Sequence, residues 1–109
     1  MNSIETAIAQ SEVRDSIIKT CQSVFAENKL IEKVFLFGSF SRKEETATSD
    51  LDLLVDMKET ISLMKFIKLK QELEDKVNRK VDLQTRESIS PYILPLITKD
   101  LVLIYERKR

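Results

Sequence analysis

The run Val34 to Asp56 reads VFLFGSFSRKEETATSDLDLLVD: an apolar stretch, a Gly-Ser pair, a polar connection, and a second apolar stretch opening on Asp50-Leu51-Asp52. Val34, Phe35, Leu36 and Phe37 have high strand propensity, as do Leu51, Leu53, Leu54 and Val55. Gly38, the single glycine of the chain, stands where the first strand ends. Glycine accepts positive φ and lets a ligand approach the backbone, so a sharp loop offering N–H groups to an anion is expected there, with the Ser39 hydroxyl beside it. Strand alternation puts Asp50, Asp52 and Leu54 on one face and Leu51, Leu53 and Val55 on the other. Two carboxylates then share a face with Cα atoms about 6–7 Å apart.

Like charges at that spacing repel unless a cation lies between them, and hard oxygen donors of this kind suit Mg²⁺ completed by substrate phosphates and water. A third acid is at hand. In Lys80-Val81-Asp82-Leu83-Gln84, Val81 and Leu83 alternate with polar residues, so Asp82 is expected on the polar face of a neighbouring strand. Three acids can hold two ions, a pair that activates an attacking hydroxyl and stabilises charge on a transferred phosphoryl group. A lone Asp-x-Asp is more often surface decoration, and Asp82 alone would be an ordinary solvated strand acid. The pattern gains meaning from the Gly-Ser loop at fixed distance, each part flanked by an apolar strand.

Gly38-Ser39 followed after ten residues by Asp50-x-Asp52, with Asp82 on a later strand, resembles the nucleotidyltransferase superfamily that includes DNA polymerase β. Within it the short length is similar to the minimal nucleotidyltransferases often encoded beside a HEPN-domain partner, the match running from about Val34 to Tyr105. The resemblance implies that Gly38 and Ser39 bind the nucleotide triphosphate, that Asp50 and Asp52 ligate Mg²⁺, and that Asp82 completes the acidic triad. It implies Arg42 as a forked phosphate contact. It further implies an antitoxin that transfers AMP from ATP to a tyrosine hydroxyl of a HEPN toxin, the partner bringing the acceptor. A silent module that neutralises its partner by occlusion is the competing expectation; transfer to a small molecule finds no pocket-building segment. One departure stands out: many relatives carry a second glycine after the arginine, where this chain has Lys43.

The 109 residues, 42% apolar, suffice for a single compact domain, residues 1–109, with a modest core that a partner surface would help to stabilise. Eighteen Lys and Arg balance 18 Asp and Glu, so the basic field needed to hold long nucleic acid is missing. No stretch has the length of a membrane span, and MNSIETAIAQSEVRD lacks the basic start and apolar core of a signal peptide, so a cytoplasmic location is expected. Histidine is absent and Cys21 is the sole cysteine, which excludes an intramolecular disulfide, a zinc finger and Ser-His or Cys-His catalysis. A general base must be a carboxylate. Cys21 falls in the helical series Val13, Ile17, Cys21, Val24 and Phe25 and reads as a core residue.

The periodicities predict an α/β (α+β) fold: a mixed sheet of about four strands with helices packed on one face and the acids on the other. Helices are expected over residues 11–27 and 62–78, the second with Leu63, Phe66, Ile67, Leu73 and Val77 as its apolar stripe. Strands are expected at 34–37, 50–56, 80–84 and 101–105, and a helical turn at 42–45. Pro91 and Pro95 should interrupt or start short helical pieces. Met1 to Gln10 either extends the first helix or forms a separate docking element. Glu44 to Ser49 reads as a mobile connection, and Arg107-Lys108-Arg109 as a solvated tail.

Overall fold

The computed structural model describes residues 3–108; Met1, Asn2 and Arg109 lie outside it. Helix α1 spans Ser3–Glu27, so Ile4, Ala7 and Ile8 extend the first helix. Its apolar residues divide along its length: Ile17, Cys21, Val24 and Phe25 are buried, whereas Val13 is 53% exposed. Val13 therefore leaves the expected core series, and only the C-terminal part of α1 delivers apolar side chains to the interior. Burial pushes the Cys21 thiol up to about 12, so it is a core group and not a nucleophile.

Strand β1, Ile31–Phe37, starts earlier than its apolar run announces. Glu32 and Lys33 interrupt the run in sequence, yet buried Ile31 already pairs with Met57. Helix α2, Gly38–Ser41, follows directly; the helical turn lies ahead of the expected 42–45 because Arg42 caps it and Lys43, at φ +60°, turns the chain away. The stretch after it is anchored at Glu45. Glu45 is buried and takes three hydrogen bonds from the Arg14 guanidinium of α1, at 2.7, 3.0 and 3.1 Å. A charge-assisted fork of this kind is short and directional, and it needs both partners because either charge alone would be stranded away from water.

Strand β2, Leu51–Met57, runs antiparallel to β1 with Phe37 opposite Asp52. Helix α3, Leu63–Val77, begins at Ser62, whose side chain accepts the Lys65 amide at 3.2 Å, and ends at Asn78 in the left-handed conformation. It forms the crossover that a parallel pair requires, bringing β3, Val81–Gln84, alongside β2 with Asp82 opposite Asp52. Leu69 and Leu73 are the buried residues of α3, with Phe66 and Val77 packed beside them. Leu63 and Ile67, read as core from spacing, are 73% and 40% exposed; the inward stripe is rotated by part of a turn towards Leu69.

A 3-10 turn at Arg86–Ser88, helix α4 at Leu94–Thr98 with Pro95 in its first turn, and strand β4 at Val102–Glu106 complete the chain. Strand β4 pairs antiparallel with β1, giving a mixed four-stranded sheet in the order β3-β2-β1-β4. The helix-covered face holds the core: Ile17, Cys21, Val24 and Phe25 of α1 and Leu69 and Leu73 of α3 pack on Val34, Leu36, Leu51, Leu53, Val55, Val81 and Leu83. On the other face Arg86 lies 5.5 Å over the Phe35 ring and pairs with Asp56 at 2.9 Å.

Arg107 is not part of a solvated tail. Its guanidinium donates to the carbonyls of Phe25, Ala26, Asn28 and Ile31, satisfying acceptors that the end of α1 would leave open. Among the described residues no helix is long and apolar enough to cross a membrane.

Candidate active site

Gly38 takes φ +69° at the junction of β1 and α2, and a Cβ built there would overlap Asp52 Oδ2 and lie 3.0 Å from its Cγ. Glycine is thus required twice, by backbone conformation and by the carboxylate packed over it. The loop is braced from within: Ser41 Oγ donates to Gly38 O at 2.8 Å and the Glu44 amide to Ser39 O at 2.9 Å. Phe37 gives α2 no side-chain cap, which leaves the first amides of that turn open to an outside acceptor.

Asp52 is half-buried between Gly38 and Asp82. Burial, and then the neighbouring charges of Asp82 and Asp50, push its carboxyl up to about 6, with Arg42 pulling weakly the other way. A carboxylate raised by desolvation and by two like charges is one that a cation would bring back to its ionised form. Asp82 is aimed by its own strand, since Gln84 Nε2 donates to Asp82 Oδ1 at 2.7 Å. Gln84 is held in turn by Ser88 Oγ, at 2.7 Å from Gln84 Oε1, at the mouth of the Thr85 capping box. This support for Asp82 escaped the sequence reading, although Gln84 had been placed on the same polar face; two residues on along a strand is the signal that reveals it.

Asp50 lies one residue ahead of β2 and is exposed, so strand alternation is not what gives it its place beside Asp52. Its charge still reaches Asp52. Arg42 caps α2 at the rim, exposed, 3.3 Å from Glu44 and 3.1 Å from Asp100 at the α4–β4 junction. A phosphate at that position would compete with two carboxylates already there.

Among the described residues no group of three or more acids, histidines or cysteines is placed so that together they could hold a metal ion, so the expected three-acid set is not assembled as one site. Asp52 and Asp82 face one another across the strands, and the charge of Asp50 reaches Asp52. That donor set fits Mg²⁺, which takes one or two protein carboxylates and completes its shell with substrate oxygens and water. Among the described residues two concavities lie elsewhere, one of about 270 Å³ between α1, Phe40, Glu45 and Arg79 and one of about 740 Å³ beyond the far end of β2, and neither is lined by Asp50, Asp52 or Asp82.

The family profile described as "Polymerase beta, Nucleotidyltransferase" matches residues 19–109. A Methanocaldococcus jannaschii protein named as a candidate protein adenylyltransferase is 40% identical over 95 residues, covering 86% of this chain and 96% of its own. Protein adenylyltransferase MntA of Thermococcus cleftensis is 32% identical over 98 residues, covering 90% and 99%. Among solved structures, a chain of a toxin–antitoxin complex with AMP-PNP superposes with TM-score 0.73 at 21% identity, over 84% of this chain and 74% of that one. A chain of the Shewanella oneidensis complex between a tri-AMPylated HEPN toxin and an MNT antitoxin gives TM-score 0.62 at 21% identity, over 90% and 73%. With the Gly38 cradle, the Asp52–Asp82 register and a profile match over most of its length, this chain belongs to the polymerase β-type nucleotidyltransferase family.

Proposed function

We propose that this protein is an antitoxin that transfers AMP from ATP to a hydroxyl, on a tyrosine, of a HEPN-domain toxin. The single observation that carries the chemistry is the raised Asp52 carboxyl, packed over a glycine with no room for a side chain and facing Asp82 across the strands. A protein acceptor is supported by the names of relatives called protein adenylyltransferases and of fold neighbours in toxin–antitoxin complexes, one with an AMPylated HEPN toxin; the tyrosine is what the family resemblance implies.

In this reading the ATP triphosphate lies against the amides of Gly38 and Ser39, with the Ser39 hydroxyl as a further donor and Arg42 at the rim. Asp50, Asp52 and Asp82 would hold Mg²⁺, as two ions; bound there, the metal screens the carboxylates from one another and lowers the charge on the triphosphate. The acceptor oxygen attacks the α-phosphorus, the bond from that phosphorus to the bridging oxygen of the β-phosphate breaks, and diphosphate leaves with the electron pair. Asp82 takes the proton of the attacking hydroxyl. Gln84 donates to its Oδ1 and so holds the carboxylate's orientation.

A second reading, neutralisation by occlusion alone, is favoured by exposed apolar side chains in and around α4 and β4: Tyr92, Ile93, Leu96, Val102 and Leu103 are 44–87% exposed. Side chains of this kind suit a partner surface, whatever the chemistry. The two readings separate in one experiment. Labelled ATP, Mg²⁺ and the product of the neighbouring gene are incubated with the wild type and with the double change Asp50→Asn, Asp52→Asn, and the partner is assayed for label and for toxicity. Label with the wild type and loss of both label and protection in the double variant are expected. Protection that survives without label would leave occlusion as the function.

A further inference from the structure

Arg79 stands between the left-handed Asn78 that ends α3 and the first residue of β3. Among the described residues it forms no ion pair, and its Nε is buried without a hydrogen-bond partner. A fold that strands a buried donor does so for what the rest of the side chain achieves. Its Nη1 donates to Ser49 O at 3.0 Å and to Thr46 O at 3.4 Å, and its guanidinium lies 5.0 Å from the centre of the Phe40 ring in α2.

The two acceptors are the ends of a closed turn: Thr46 N donates to Ser49 Oγ at 2.8 Å and Ser49 N to Thr46 O at 3.2 Å. The residue after that turn is Asp50. On its far side the Leu51 amide donates to Lys80 O at 2.9 Å. Asp50 is therefore bracketed by two consecutive residues, Arg79 through its side chain and Lys80 through its backbone, while among the described residues its own carboxylate makes no hydrogen bond. Its position depends on where the chain is held on each side. The stacking on Phe40 joins the same guanidinium to the helix that begins at Gly38.

We infer that Arg79 is a positioning residue that fixes Asp50, and with it the loop before β2, against Asp52, Asp82 and the Gly38 turn. This rests on the proposed nucleotidyl transfer for its activity readout only. A planar guanidinium can donate in its plane from Nη1 to two carbonyls while its face covers an aromatic ring, a stacked geometry that a compact ammonium does not reproduce.

The test uses the full chain with Arg79→Met, which keeps the stem and removes every donor, and Arg79→Lys, which keeps the charge and an ammonium's donors but not the planar guanidinium. In Arg79→Met, kcat for AMP transfer should fall about 10- to 100-fold, with KM for ATP within about twofold of the wild type. Mn²⁺ affinity, read by electron paramagnetic resonance with AMP-PNP present, should fall by about 10-fold. Without metal, amide exchange should quicken at Asp50 and Leu51 and stay unchanged in β1 and α3. Arg79→Lys should recover part of each loss.

A Met variant within about twofold of the wild type in kcat and Mn²⁺ affinity would overturn the inference. So would exchange that quickens across the whole chain with no recovery in the Lys variant, which marks a general stabilising role. If the wild type transfers no AMP yet binds Mn²⁺ with AMP-PNP, the proposed function fails and the Mn²⁺ and exchange results alone decide Arg79. A wild type that binds no Mn²⁺ overturns both.

Discussion

The two faces of the sheet are built on opposite principles. Against α1 and α3 lie apolar side chains such as Leu51, Leu53 and Leu73, all at 0% exposure. Across the same strands, Asp52 and Asp82 stand opposite one another, half-buried, with burial and mutual repulsion raising the Asp52 carboxyl. The apolar set stabilises the fold, whereas the facing Asp52–Asp82 pair costs stability on a sheet face that also buries Leu54. Because strand residues alternate, the two sets interleave along β2 without touching, so stability and chemistry are separable by mutation.

The largest effect that sharpens this contrast is expected at Gly38. A methyl group there meets Asp52 on the acid face at a backbone φ of +69°. Gly38→Ala should lower AMP transfer by about 100-fold or more through displacement of the loop and carboxylate. It should also cost about 1–3 kcal/mol in stability, measured by urea unfolding. On the core face Leu73→Ala should cost about 2–5 kcal/mol while leaving transfer per folded molecule within about twofold. A Leu73→Ala protein that folds normally yet transfers poorly would break the separation of the faces.

The interleaving is also what made the fold legible. Alternation in DLDLLVD and VDL, together with one glycine, located β2, β3, the Gly38 turn and the polar face of Asp82, because each depends on local backbone geometry. Features set by distant partners were not legible. Glu45 reads as a loop residue and is buried only because Arg14, 31 positions away, reaches it. Arg107 reads as tail and becomes a helix cap because β4 lies beside the end of α1. Asp50 sits near Asp52 through Arg79 and Lys80, not through the strand periodicity that pointed to it.

A smaller effect tests whether the acid face opposes folding. The Asp52 carboxyl ionises near 6 in the folded protein, against an ordinary value of 3.8. The folded state therefore prefers the protonated form. That preference contributes fully below 3.8 and is lost as the pH rises through about 6. Asp52→Asn cannot ionise, so the metal-free variant should be the more stable protein at pH 7.5, with the gap closing as the pH falls from about 6 towards 3.8. Asp52 is half exposed, and solvent screening brings the expected gain to about 1 kcal/mol. Thermal unfolding in the presence of a chelator at several pH values measures it; a less stable variant at pH 7.5 would show that Asp52 makes compensating contacts. The same variant should lose transfer, so stability and activity move in opposite directions at one residue.

The smallest effect concerns Lys43, which belongs to neither face. Gly38 and Lys43 both adopt left-handed backbone, φ +69° and φ +60°, and together they close the turn between β1 and the acid-bearing loop. Gly38 is excluded from change by contact, whereas Lys43 is exposed and constrained by φ alone. A side chain in that region costs about 1–2 kcal/mol, and glycine gives back part of the gain through the greater freedom of the unfolded chain. Lys43→Gly should therefore stabilise the protein by about 0.5–1 kcal/mol, seen as a rise in Tm of a few degrees. Transfer distinguishes two roles for the side chain. An unchanged rate would mean that the lysine only bears strain at the turn. A higher KM for ATP that Lys43→Arg does not share would mean that the strain is retained for a cationic contact with the triphosphate, which would make the rim of the turn part of the acid face.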